Sequence, residues 1–241
     1  MARRRRSRPI GAAQAPDVDP EYLEPWTPGA LGLHLDLEDA IVDATVDLAG
    51  VTRSGASIAR SRLLGVPMAG SQLRALRLVD VELRDVDGAN SDWRGAKLSR
   101  IVFEGCRLTG LTAIEMQATD VVFRDCKLDL ANFSHSTLRR VTFEGCVLDE
   151  AYFSGSKLNS VRFDGSQLWR TRFDAVEISD VDFRGSELMP DGDVLVLRGS
   201  VIDSLQLISL APLLAHGAGI TVSDEDPEDE PPPARGGAQR P

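Results

Sequence analysis

From Leu48 to Leu188 every fifth residue of this chain obeys one rule. Of the 29 positions so counted, 27 are apolar, and only Arg53 and Gly88 break the series. The 29 residues that stand two before them, from Val46 to Ser186, include no charged residue and no proline, in a chain that is 27% charged. A period of five matches neither the 3.6-residue turn of an amphipathic helix nor the alternation of a half-buried strand. Such short periodicity instead describes a repeat architecture, in which each unit buries its apolar face against the next.

The wording of the repeat is specific. Val141-Thr-Phe-Glu-Gly, Cys146-Val-Leu-Asp-Glu, Ala151-Tyr-Phe-Ser-Gly and Ser156-Lys-Leu-Asn-Ser follow one another without interruption. They resemble the pentapeptide-repeat family, and the likeness extends over about 145 of the 241 residues. The resemblance implies an all-β solenoid: a right-handed quadrilateral β-helix with four pentads per coil, in which the centre residue and the residue two before it point inward.

Four pentads per coil would stack residues 20 apart, and the sequence answers independently. Phe103, Phe123, Phe143, Phe163 and Phe183 form one column, and Phe133, Phe153 and Phe173 a second. Leu108, Leu128, Leu148, Leu168 and Leu188 make a third, while Leu78, Leu98, Leu138, Leu158 and Ile178 make the fourth. At 111–118 large and small exchange places, with Leu111 and Met116 at partner positions and Ala113 and Ala118 at centres. That exchange roughly conserves volume and predicts a distorted coil, with a short loop as the alternative. The whole series predicts about seven coils, on the order of 35 Å at a strand spacing of ~4.8 Å.

Both ends of such a stack expose strand edges and need covers. The expected organisation is a disordered basic tail over 1–21, an N-terminal cap over 22–45 and the β-helix over 46–202. A helical cap or dimerisation segment over 203–222 and a disordered acidic tail rich in Pro and Gly over 223–241 complete it. The N-terminal cap would use Trp26, Leu31, Leu33, Leu35 and Leu37. At the other end Asp203 is an N-cap candidate for a segment 204–216 carrying Leu205, Leu207, Ile208, Leu210, Leu213 and Leu214, with Pro212 expected to split it in two. This segment could close its own stack, covering the outward Trp169 and Met189, or join a second chain into a homodimer. Arg3 to Arg6 and Arg8 are followed by no apolar run, and no stretch is long enough to cross a membrane, so a cytoplasmic protein without membrane contact is expected.

Catalytic chemistry finds little support. His34, His135 and His216 fall in three different regions. Ser154-Gly-Ser-Lys157 matches an S-x-x-K nucleophile pattern but lacks that pattern's companion motifs. Cys106, Cys126 and Cys146 occupy one inward column with no histidine, as small packing residues would, and parallel Cβ vectors disfavour a disulfide. The expectation is a protein that is not an enzyme and has no catalytic, cofactor or metal residue.

Binding is the function that such a shape suggests, and charge limits the partner. Quinolone-resistance members of the family, which the chain resembles distantly, are acidic rods that mimic DNA, dimerise through C-terminal helices and engage DNA gyrase or topoisomerase IV. The net charge here is −10, with pI near 4.8, yet residues 46–190 hold 20 acids and 19 bases. DNA carries one charge per ~1.7 Å, so a mimic ~35 Å long would need roughly 20 uncompensated negative charges. An acidic face is expected at Asp129, Asp149, Glu150 and Glu187, and a basic face at Arg60, Arg77, Lys97, Arg100, Arg139, Arg140 and Lys157. The basic face has no aromatic residue to stack on bases, which disfavours direct nucleic-acid binding. The reading is therefore a rigid scaffold for a protein partner that the residues do not identify, with a type II topoisomerase as the alternative.

Overall fold

The computed structural model describes residues 11–26 and 35–223. They form a parallel β-solenoid of about eight turns closed by one C-terminal helix. Eight-residue strands Arg77–Arg84, Lys97–Glu104, Gln117–Arg124, Thr137–Glu144 and Lys157–Asp164 lie one above another. Their register is 20 residues, pairing Phe103 with Phe123, Leu138 with Leu158 and Phe143 with Phe163. Each strand turns a corner midway. Asp80, Arg100 and Asp120 take positive φ of 56°, 56° and 58° and drop out of the pairing there. The strand thus covers two faces of the coil, while the other two are held by isolated bridges such as Arg107 with Lys127 and Asn132 with Tyr152.

The interior is two aromatic columns flanked by two aliphatic ones. Phe123, Phe143 and Phe163 stack with centroids 5.0 Å apart and planes within 6°. Phe133, Phe153 and Phe173 stack at 5.2 and 5.3 Å, and the two columns meet edge to face, as between Phe143 and Phe153 at 83°. Both are favourable arrangements of aromatic quadrupoles. Small polar residues at partner positions are satisfied by the coil before: Ser91 Oγ donates to Met68 O at 2.8 Å, Ser136 Oγ to Ala113 O at 2.9 Å, and Thr171 Oγ1 to Leu148 O at 2.9 Å. The cysteines use the same geometry weakly, Cys106 Sγ reaching Leu83 O at 3.4 Å, and all three thiols are free and buried.

Gly88 breaks the apolar series to make room. A Cβ there would stand 2.9 Å from Leu108 Cδ2 and 3.9 Å from Trp93 Cζ2, so the Leu108 side chain, with the buried indole of Trp93 in contact beside it, takes the space of a larger centre residue. The coil at 111–118 is regular, contrary to the distortion expected. Thr112 bridges Asn132, Ala118 pairs with Leu138, and Leu111, Ala113, Met116 and Ala118 are all buried. Both positions of a pentad point inward, so exchanging volumes between them leaves the backbone path unchanged.

The ends differ more from expectation. The solenoid begins before residue 46: Asp36–Glu38 and Ala40–Asp43 already pair with Ser57–Leu64. The register there is 21, one residue more than elsewhere, which is why a strict five-residue count misses this coil and stops at about seven. The N-terminal cover is a short strand, Glu24–Pro25, on Ala40–Ile41. Leu31, Leu33, the arginine-rich start and the tail beyond Ser223 lie outside the described residues. At the other end α1, Ser204–Gly217, is a single helix through Pro212. The proline costs ~3 kcal/mol, offset by a capping box between Asp203 and Gln206 worth about 1 kcal/mol and burial of Leu210 worth about 2 kcal/mol.

Candidate functional site

A corner of the solenoid carries an alternating ladder of charge. Asp39, Arg60, Asp80, Arg100, Asp120 and Arg140 follow one another at the same corner of successive coils. Arg100 grips Asp80 through Nε at 2.6 Å and Nη2 at 2.5 Å, and Arg140 grips Asp120 at 2.7 and 2.6 Å. Arg60 closes on Asp39 at 2.7 Å and also on Glu38. Planar guanidinium and carboxylate meet in parallel, the strongest form of such a pair. The Asp80 and Asp120 side chains are nearly buried, and their arginine hydrogen bonds hold both carboxyls below the usual range.

An extended N-terminal segment lies along this ladder. The Gln14 amide donates to Asp120 Oδ1 at 3.1 Å and the Asp17 amide to Asp80 Oδ1 at 3.0 Å, while Gly11 lies against Arg140. Residues 11–19 therefore run antiparallel to the growth of the solenoid, back along coils already stacked. The disorder expected over 1–21 does not hold for residues 11–21. No pattern in 11–19 itself signals this, because the acceptors lie 63 and 106 residues away.

Ion pairing neutralises part of each of the two faces read from the sequence. On the basic face Arg60, Arg100 and Arg140 are ladder rungs, and Lys157 pairs with Glu177 at 3.0 Å. Only Arg77, Lys97 and Arg139 of that set make no ion pair among the described residues. On the acidic face Glu150 pairs with Arg170 at 3.2 Å, Asp129 accepts from Thr109 Oγ1 at 2.8 Å, and Asp149 accepts from the Trp169 amide at 3.1 Å. Glu187 accepts from the Trp169 indole at 3.2 Å. Among the described residues, Asp129, Asp149 and Glu187 thus form no close ion pair, although Arg107 lies near enough to feel the charge of Asp129.

Apolar exposure gathers at the C-terminal end. Trp169 and Met189, paired across two strands, remain 55% and 44% exposed beside a cleft of about 390 Å³ that Leu205, Gln206 and Ser209 complete. Gln206 Nε2 donates to the Ser186 carbonyl at 2.8 Å and to Phe183 O, satisfying the last coil, while Gly185 N donates to Asp203. So α1 closes its own stack. It also leaves Leu205, Leu207 and Ile208 exposed.

The model of the pentapeptide repeat region matches residues 116–190. Residues 116–190 are thus a pentapeptide-repeat region. Among solved structures the repeat protein is similar to QnrB1, a plasmid-mediated fluoroquinolone resistance protein, in a trypsin-treated variant form at 24% identity and TM-score 0.40, covering 78% of this chain and 91% of that one. It is also similar to HetL, a pentapeptide-repeat protein involved in heterocyst differentiation regulation in the cyanobacterium Nostoc, at 14% identity and TM-score 0.28, covering 68% and 93%. A search of curated proteins returned no match. No helix of the described residues is long and apolar enough to cross a membrane, and no cluster of His, Cys, Asp or Glu among them could hold a metal.

Proposed function

We propose that this repeat protein acts without catalysis, as a rigid scaffold that binds another protein. The observation that supports it is the placement of exposed apolar surface: Trp169, Met189, Leu205, Leu207 and Ile208 are clustered at one end of a column along which charges such as Arg100 and Asp80, Arg140 and Asp120, and Lys157 and Glu177 are paired. Contiguous apolar surface rimmed by polar residues marks protein contact. Proximity labelling with wild-type protein and with a Trp169→Glu/Leu205→Glu variant tests the reading. The labelled set should lose specific members in the variant; an unchanged set would refute it. Light scattering identifies the case in which the partner is a second copy, since a dimer through 204–216 would dissociate with Ile208→Glu.

A second reading, a partial DNA mimic that engages a type II topoisomerase, draws support from Asp129, Asp149 and Glu187, which form no close ion pair among the described residues. The near balance of charge over residues 46–190 favours the first reading. A supercoiling assay separates them. The scaffold reading expects no inhibition, whereas mimicry requires inhibition that falls as salt rises and vanishes when Asp129, Asp149 and Glu150 are reversed to lysine.

A further inference from the structure

The ladder corner has the geometry of a reader of extended peptide. Asp80 and Asp120 stand two coils apart, ~9.6 Å at ordinary strand spacing. Gln14 and Asp17 are three residues apart, ~10 Å in an extended chain. The two repeats coincide, so each carboxylate meets one amide of the strand. Arg100 and Arg140 hold both oxygens of each carboxylate in the plane of the guanidinium, which leaves Oδ1 to accept a further hydrogen bond from outside. What is recognised is backbone: the donors are the amides of Gln14 and Asp17, and between them stand Ala15 and Pro16, a small residue and one with no N–H.

The hold on this strand is two hydrogen bonds and the partial burial of Ala13, Pro16 and Val18. Among the described residues these are the two hydrogen bonds that tie residues 11–18 to the column, and backbone pairing starts only at Glu24. Two bonds to ionised acceptors suffice because the strand is covalently tethered, at an effective concentration on the order of millimolar.

We propose that the corner through Asp80 and Asp120 is a docking edge for an extended peptide backbone, which residues 11–17 occupy in cis as a releasable strap. The partner it fits is an extended segment with amide donors three residues apart and small uncharged side chains between them, the chemistry that the strap displays. The strap is then autoinhibitory: a partner segment must displace it. The proposal rests on the scaffold reading only in that the partner is a polypeptide, and it concerns a surface separate from the apolar C-terminal end.

The test uses the full chain carrying Gln14→Pro and Asp17→Pro, which removes both donors and leaves the column unaltered. By NMR the strap signals should narrow to those of a free peptide. A synthetic peptide of residues 11–19 should then shift the Nε–H signals of Arg100 and Arg140 saturably, whereas the wild-type chain should need at least tenfold more peptide. A peptide with proline at both positions should produce no shift. A strap that stays ordered in the double variant would overturn the proposal, as would a released chain with no saturable shift or equal binding of the proline peptide. Failure here leaves the proximity-labelling result at Trp169 and Leu205 untouched, so the two readings fall separately.

Discussion

Removing one ring from the middle of an aromatic column is the severest single test of this fold. Phe143 is fully buried, stacked at 5.0 Å on both Phe123 and Phe163, with Phe133 and Phe153 edge-on at 6.1 and 6.0 Å. Truncating a buried Phe to Ala ordinarily costs ~3–5 kcal/mol from lost transfer energy and an unfilled cavity. Each aromatic contact adds ~0.5–1.5 kcal/mol beyond area. Neighbouring coils cannot close the gap, because their backbones are fixed by ladder hydrogen bonds above and below. Phe143→Ala should therefore cost about 5 kcal/mol. Its neighbour in sequence supplies the control: Glu144 points out and makes an exposed pair with Arg124 at 3.1 Å, so Glu144→Ala should cost less than about 1 kcal/mol. Urea denaturation followed by circular dichroism measures both. A loss below about 2 kcal/mol at Phe143, or comparable losses at the two sites, would refute the column register.

Other outcomes follow from the ladder and the packing. Asp80 and Asp120 have carboxyls held below their ordinary values by Arg100 and Arg140, so their contribution is complete above the unfolded carboxylate pKa of about 4 and is lost as pH falls through the depressed folded values. Acid titration of the melting temperature should thus show a decline below about pH 4 that Asp120→Asn diminishes. Gly88→Val should cost about 1–3 kcal/mol by crowding Leu108 and Trp93, measured by the same urea curves; a neutral result would mean that the interior there is loosely filled. Gln206→Ala should destabilise by about 1–3 kcal/mol, because it strips the helix of its capping partner and removes the donor to the end carbonyl of Ser186. Thermal melts beside Gln167→Ala, at an exposed site, give the comparison.

Periodicity alone determined which side chains face inward over 46–190, because a coil of four pentads leaves each inward residue no freedom except the identity of its neighbours 20 residues away. The aromatic and leucine columns, the buried cysteines and the capping residue Asp203 were legible for that reason. The exchange of volumes at 111–118 reads as distortion in the sequence, yet both inward positions share one interior and the coil absorbs it. The first coil was hidden by a single added residue that shifts its register to 21. Charge was the least legible feature. Counting Arg60, Arg100 and Arg140 as a basic face ignores that each corner residue lies one coil from a carboxylate, so pairing along the stack, perpendicular to the chain, decides what charge remains. The strap was beyond sequence reasoning altogether: the amides of Gln14 and Asp17 carry no side-chain signature, and their acceptors converge only once the coils bearing Asp80 and Asp120 are stacked at a spacing that an extended chain can match.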